Sequence, residues 1–348
     1  MKKLISILLS GLVVLSACDE EKSSKNDIVN FTITTSSYTG LDQDTKQINT
    51  IEKKVIVAIS NTEIDTIFPL TITPTITVSS GATINPTSGT SVTFNNPDDF
   101  ITYEITSEDG GKSTWVVQLI NKQLQNADFQ NWYTISLTSL VEYKEVGSSP
   151  NTTIWASANP GTSSYSVYNT QPFLQGEDTL VRIKTDQAGA IPIAAGTLFT
   201  GKFNLAGAIT NPTDPKKATD FGVPYFWRPV SMKFLFKYTA GETYIKATLN
   251  NPGNLFGGFT TDTIAGADQC NIYAILEKRI GDNILEIART SFNSGTTVDF
   301  AEQTVDFEYS SNEMPTHISV VFTSSKDGDL WTGAKGSELI IDDLELLY

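Results

Sequence analysis

The feature that most constrains this chain is a two-residue apolar period that recurs from Val29 to the C-terminal region. Val29, Phe31 and Ile33 fall on one face of an extended segment, as do Val55, Val57 and Ile59. The same holds for Ile101, Tyr103 and Ile105, and for Trp115, Val117 and Leu119. Further on, Met232, Phe234, Phe236 and Tyr238 alternate with Lys233, Leu235 and Lys237, and Ile272, Ala274 and Leu276 alternate with Tyr273, Ile275 and Glu277. Successive side chains of a strand point to opposite faces, so this pattern buries one face of a sheet and wets the other. No stretch reads as a long amphipathic helix. The chain is expected to be all-β.

Turn-forming residues divide it. Gly81, Asn85-Pro86-Thr87-Ser88-Gly89 and Glu108-Asp109-Gly110-Gly111 separate the strands of the first part, the last as a hairpin between two strong runs. Residues 28–121 have the size and strand density of an immunoglobulin-like sandwich and supply no nucleophile, acid–base pair or metal set, so a spacer role is expected. Lys122 to Ala127 reads as a short polar linker. Residues 122–348 are long enough for one extensive core, and strands punctuated by Gly196, Gly201, Pro224, Pro252, Gly257 and Gly258 fit a jelly-roll β-sandwich. No internal repeat points to a propeller or solenoid.

At the N-terminus Lys2 and Lys3 precede an apolar run from Leu4 to Leu15, too short to span a bilayer and arranged like a secretory signal over residues 1–17. It ends in Leu15-Ser16-Ala17-Cys18, which resembles the lipobox of bacterial lipoproteins. That resemblance implies lipidation of Cys18 and attachment to the outer membrane through a lipid anchor. Residues 18–27 read as a tether. Asp19-Glu20-Glu21 resembles the acidic signal of surface-exported lipoproteins of Bacteroidetes-type bacteria, which implies exposure at the cell surface.

Composition narrows the chemistry. Lys and Arg number 24 against 39 Asp and Glu, a formal charge of −15, with arginine only at positions 182, 228, 279 and 289. A phosphate-tracking groove needs clustered cations, so no nucleic-acid partner is expected. With His317 as the one histidine and Cys18 and Cys270 as the two cysteines, multi-histidine or multi-cysteine metal sites are ruled out, and no cofactor is expected. No Gly-x-Ser-x-Gly elbow accompanies His317, and Gly257-Gly258 is not followed by the residues of a phosphate loop. Aromatic rings remain. Trp132, Tyr133, Trp155, Tyr225, Phe226, Trp227 and Trp331 could stack on the C–H faces of sugar rings, and Arg228 could fork onto neighbouring hydroxyls. Three consecutive aromatics at Tyr225-Phe226-Trp227 cannot all face one core, so at least one should be exposed. Glu242, Glu277, Asp306 and Glu308 are the acids on or beside expected strands that a glycosidase could use, although Asp306 and Glu308 read as a solvated face.

The first domain resembles the immunoglobulin-like modules of Bacteroidetes surface lipoproteins, in which Glu108-Asp109-Gly110 before a final aromatic strand recurs. The second is similar to the putative carbohydrate metabolism domain of the same lipoproteins over about residues 126–348, a family whose members often carry a glycoside hydrolase label. The matching stations are Phe129-Gln130-Asn131-Trp132, Trp155-Ala156-Ser157, Ile183-Lys184-Thr185, Phe199-Thr200-Gly201, Gly222-Val223-Pro224 with Arg228-Pro229, and the closing run through Ser324-Ser325, Gly328-Asp329 and Leu339-Ile340-Ile341-Asp342-Asp343. The opening and closing pieces also resemble carbohydrate-binding jelly rolls that hold a structural calcium between a first-strand acid and a last-strand aspartate. Here those positions carry Gln130 and Asp342, and an ordinary hydrogen-bonded Asp342 is the competing account. The expected function is glycan binding through Trp132, Trp155, Tyr225, Trp227, Arg228 and Trp331. A glycoside hydrolase using a carboxylate pair and a structural or adhesin subunit with cell-surface protein partners stand as alternatives.

Overall fold

A computed structural model describes residues 21–38, 41–61, 64–138, 141–211 and 214–348. The signal segment and Cys18 lie outside the described residues. Two compact units emerge: residues up to Ile59 with Ile67–Ile120, and Ser60–Thr66 with Asn121–Tyr348. The fold is all-β, an immunoglobulin-like sandwich followed by a larger jelly roll.

In the first unit the strands Ile28–Ser36, Leu70–Val78 and Val92–Phe94 form one sheet. Leu41–Asn49, Lys54–Ile59, Lys112–Asn121, Phe100–Thr106 and Thr83–Asn85 form the other in that spatial order. The alternating residues Phe31, Ile33, Val55, Val57, Tyr103, Ile105, Trp115 and Val117 are all buried. Val29 is not. A register shift between Ile28 and Asn30 turns Ile28 inward and leaves Val29 62% exposed, as a bulge does by breaking the strict alternation. The Trp115 indole N–H donates to the Asn26 carbonyl at 3.1 Å, which settles the one polar atom of a ring otherwise buried whole.

The second unit stacks two large antiparallel sheets. One runs Trp155–Ser157, Thr197–Phe203, His317–Thr323, Cys270–Ile280, Asn283–Ser294, Glu308–Tyr309. The other runs Thr170–Gln175, Asp178–Lys184, Glu338–Leu347, Ser231–Thr239, Ala301–Asp306. Aromatic rings join them: Phe234 and Phe236 of the second sheet meet Phe292 of the first at centroid distances of 5.8 and 5.0 Å, and Phe234 meets Phe322 at 6.5 Å. Edge-on packing of this kind adds to the burial of each ring. At Gly201, φ is +139° and an added Cβ would lie 2.2 Å from the Asp220 carbonyl oxygen. Glycine there lets the short strand Thr219–Phe221 pair against Thr197–Phe203. Cys270 is fully buried, its thiol pushed up to about 12 by desolvation, and it donates weakly to the Ser294 carbonyl at 3.5 Å.

The segment read as a polar linker is woven into the jelly roll. Lys122, Gln123, Leu124 and Ala127 are all buried. The Gln123 amide donates to the Leu346 carbonyl and accepts from the Leu346 N–H, both at 2.8 Å, so a side chain replaces a missing strand neighbour. The polar composition that suggested a linker serves instead to satisfy the final strand. Gln123→Ala is expected to destabilise this domain by about 2 kcal/mol in urea denaturation, because it strands two buried backbone groups. A solvated linker would respond by less than about 0.5 kcal/mol.

Candidate functional site

Most rings expected to stack on sugars are structural. Trp155 is 2% exposed and donates its indole N–H to the Gln125 carbonyl at 2.8 Å, against Phe129 and Phe322. Tyr225 is buried, its hydroxyl bonded to Tyr348 and to the Lys122 carbonyl, and burial holds that phenol well above its ordinary range. Trp227 is also buried. Trp132 is half-buried with its indole N–H donating to the Phe129 carbonyl at 2.8 Å. Of the aromatic triplet the exposed member is Phe226, at 56%. Arg228 lies over the Tyr309 ring at 4.1 Å and donates to the carbonyls of Ser311 and Glu313, so its fork is already occupied. The correction has one physical cause. At Trp132, Trp155 and Tyr225 irregular segments deliver backbone carbonyls to the indole and phenol groups, which lets large amphipathic rings pack inward without an unpaired donor.

Trp331 differs. It closes the turn Gly328–Leu330 with φ +60°, a left-handed conformation uncommon for a bulky side chain. The Trp331 N–H donates to the Gly328 carbonyl and its own carbonyl accepts from the Ala247 N–H, each at 3.0 Å. Its ring packs on Phe259 at 4.4 Å. The ring thereby lines a groove of about 620 Å³ beside a third, three-stranded sheet made of Phe259–Thr263, Tyr244–Leu249 and Thr332–Ala334. Tyr244, Lys246, Thr248, Asp327 and the 64% exposed Leu330 share the lining. Burial first, and then the negative charges of Asp327 and Asp268, raise the Tyr244 phenol, which keeps it a neutral donor and acceptor. Neither Lys246 nor Asp327 has an ion-pair or side-chain hydrogen-bond partner among the described residues. An apolar ring beside hydroxyls and two free charges, in a groove of this size, is the usual make-up of a small-molecule or oligomer site.

A buried carboxylate fixes the loop that carries Trp331. Asp268 is 1% exposed and accepts from the Ser325 hydroxyl at 2.5 Å, the Ser337 hydroxyl at 2.7 Å, the Ala334 N–H at 2.8 Å and the Gln269 N–H at 2.8 Å. Ser325 and Ala334 are the two feet of the loop. The Lys326 N–H adds a bond to the Gln269 carbonyl at 2.8 Å. Desolvation raises the Asp268 carboxyl despite these donors, which each work to lower it. Sequence reasoning missed Asp268, Tyr244 and Lys246. The serines at 325 and 337, whose hydroxyls both donate to Asp268, were the available signal.

Two further acids are buried without full satisfaction. Glu145 accepts from the Ser157 hydroxyl at 2.7 Å through one oxygen while the other has no partner, and burial pushes the carboxyl up to about 7. Asp342 is 1% exposed with Oδ1 unpartnered. Desolvation raises it to about 7, opposed by the Asp343 N–H and reinforced by the charges of Asp343, Asp178 and Asp128. It pairs with Leu235 beside a register shift, with Asp343 at φ +49°. The residues here do not fit a structural calcium. The Gln130 amide donates to Asp178 at 2.5 Å and accepts from the Thr179 N–H at 3.3 Å, and it brings no charge to a cation. Among the described residues no three acidic, histidine or cysteine groups converge as metal ligands. With its carboxyl raised to about 7, Asp342 holds its proton below that pH and ionises above it.

The acids considered for hydrolysis do not gather. Glu277 is bound by the Arg279 guanidinium, Glu242, Asp306 and Glu308 are exposed, and none lines the Trp331 groove. His317 bonds through Nδ1 to the Thr316 hydroxyl at 2.9 Å, and burial, with Arg279 nearby, lowers its imidazole.

Comparison with known proteins agrees with this architecture. The chain is similar to a structure titled a "putative glycoside hydrolase" from Bacteroides thetaiotaomicron, at 25% identity and TM-score 0.52 over 95% of this chain and 98% of that one. A second, under the same description from Bacteroides vulgatus, shows 26% identity and TM-score 0.50 over 63% of this chain and 96% of that one. No curated protein matches the sequence. Residues 28–119 match the model described as "SGBP, N-terminal". Residues 128–347, most of the chain, match "Putative carbohydrate metabolism domain", and to that family the protein belongs.

Proposed function

We propose that the protein is a surface-anchored lipoprotein that binds polysaccharide or oligosaccharide through the jelly roll, with the Trp331 groove as the contact site. The observation that carries this reading is the groove itself: an indole held in left-handed backbone beside Tyr244, Lys246, Thr248 and Asp327, in a volume of about 620 Å³. Backbone strain at a bulky residue persists where the surroundings over-determine it, and such residues concentrate at ligand sites. Membership of a carbohydrate-related family and the SGBP-type N-terminal match support both the ligand class and a position outside the cell. The lipobox at Cys18 supplies the anchor, and the immunoglobulin-like unit serves as spacer.

Catalysis is the second reading, favoured by the descriptions of the two similar structures. It would need two carboxyl groups flanking a bound sugar. Of the Trp331-groove lining only Asp327 is acidic, and the carboxyls raised to about 7, Glu145 and Asp342, lie buried away from that lining. Those placements weigh toward binding. Trp331→Ala is expected to weaken retention on glycan in affinity electrophoresis by about tenfold, through loss of the ring that walls the groove and holds its shape. No reducing ends should appear on long incubation. Release of reducing sugar by the unmodified protein would shift the assignment to hydrolysis.

A further inference from the structure

Resting on the groove reading, we infer that the ligand is an uncharged glycan, because Lys246 and Asp327 present opposite charges to the same groove and neither forms an ion pair among the described residues. Both line the cavity with Trp331 and Tyr244, and neither closes an ion pair among the described residues. Asp262 stands opposite Lys246 across the paired strands without reaching ion-pair distance.

A sugar hydroxyl is donor and acceptor at once. It accepts from the Lys246 ammonium and donates to the Asp327 carboxylate, so one neutral chain can satisfy both groups when the groove loses water. A uronate or sulfated chain gains Lys246 but must desolvate against Asp327 and approach a protein of formal charge −15. An amino-sugar polymer gains Asp327 and meets Lys246. Either charged class leaves one like charge facing it in a partly dehydrated site, and such a clash works as a filter against that class. The neutral class has no such conflict.

The test uses the purified protein against neutral polysaccharides (mixed-linkage β-glucan, xyloglucan, galactomannan), two polyanions (polygalacturonate, chondroitin sulfate) and one polycation (chitosan), by affinity electrophoresis and calorimetry at low and at physiological ionic strength. At least one neutral polymer should bind, with affinity changing less than about twofold with salt, since charge screening acts weakly on hydrogen bonds to a neutral ligand. Lys246→Met and Asp327→Asn should each weaken that binding by about tenfold, the loss of one charge-assisted hydrogen bond. Circular dichroism of each variant separates this from misfolding. Preference for a polyanion, lost in Lys246→Met, or for chitosan, lost in Asp327→Asn, overturns the inference while the groove stands. Neutral binding unaffected by Trp331→Ala, Lys246→Met and Asp327→Asn overturns both the inference and the groove, and binding to no polymer overturns the glycan reading itself.

Discussion

Asp268→Ala is expected to lower the stability of the C-terminal domain by about 4 kcal/mol, more than the other substitutions considered above, although the residue touches no solvent. The carboxylate accepts four hydrogen bonds from Ser325, Ala334, Ser337 and Gln269. Alanine leaves those donors in a buried site, and each stranded group costs roughly 1–3 kcal/mol unless it finds a new partner. Ser325 has one, the Thr185 hydroxyl at 2.6 Å, which keeps the total below the simple sum. For a domain of this size the loss corresponds to a fall in melting temperature of about 10 °C in calorimetry. Asp268→Asn should recover about half, because an amide oxygen can still accept two of the bonds while its NH₂ faces donors. A melting temperature unchanged by Asp268→Ala would mean that the loop of Trp331 is held by other contacts.

The second large effect is a dependence of stability on pH that runs opposite to the usual acid denaturation. Glu145 titrates at about 7 in the folded protein against 4.5 ordinarily, with desolvation as the main cause. Below the ordinary value both folded and unfolded chains hold the proton and nothing is lost. Between there and about pH 7 the unfolded chain releases its proton while the folded one retains it, so stability falls as pH rises, and the loss is complete above about 7. The shift corresponds to a destabilisation on the order of 3 kcal/mol from this group. Asp342, raised from 3.8 to about 7, adds a slope of the same sign. Urea midpoints should therefore drop between about pH 5 and about pH 8, and Glu145→Gln should flatten part of that drop by removing the charge without removing the bond from Ser157. A variant with the same slope as the parent would place the titration elsewhere.

These acids show where the sequence is and is not legible. Alternation in the strands around Phe234, Ile272 and Trp115 identifies an all-β chain because the pleat has a fixed period, independent of what a strand packs against. The period fails where a bulge inserts a residue. Val29 is exposed beside the buried Ile28, and the strand that carries the buried Asp342 shifts register beside it. The site was misread for a related reason. Whether an indole faces water depends on which carbonyl lies near its N–H, and the partners of Trp155 and Trp115 are separated from them by 30 and 89 positions. Trp331 was named from its chemistry. Its neighbours Tyr244 and Lys246 come from a strand about ninety positions earlier, and the pairing of Tyr244 with Ala334 that joins them is a tertiary fact. Gln123 likewise reads as part of a polar linker until the last strand arrives beside it.

The sulfur of Cys270, sealed between the sheets with its thiol at about 12, has a practical use. In a chain beginning after Cys18 the protein should be silent toward maleimide dyes at neutral pH, because almost none of that sulfur is ionised or accessible. A cysteine introduced at the exposed Leu330 would then be the single reactive handle on the molecule, and a fluorophore attached there would report ligand arrival beside Trp331 without any change to the interior.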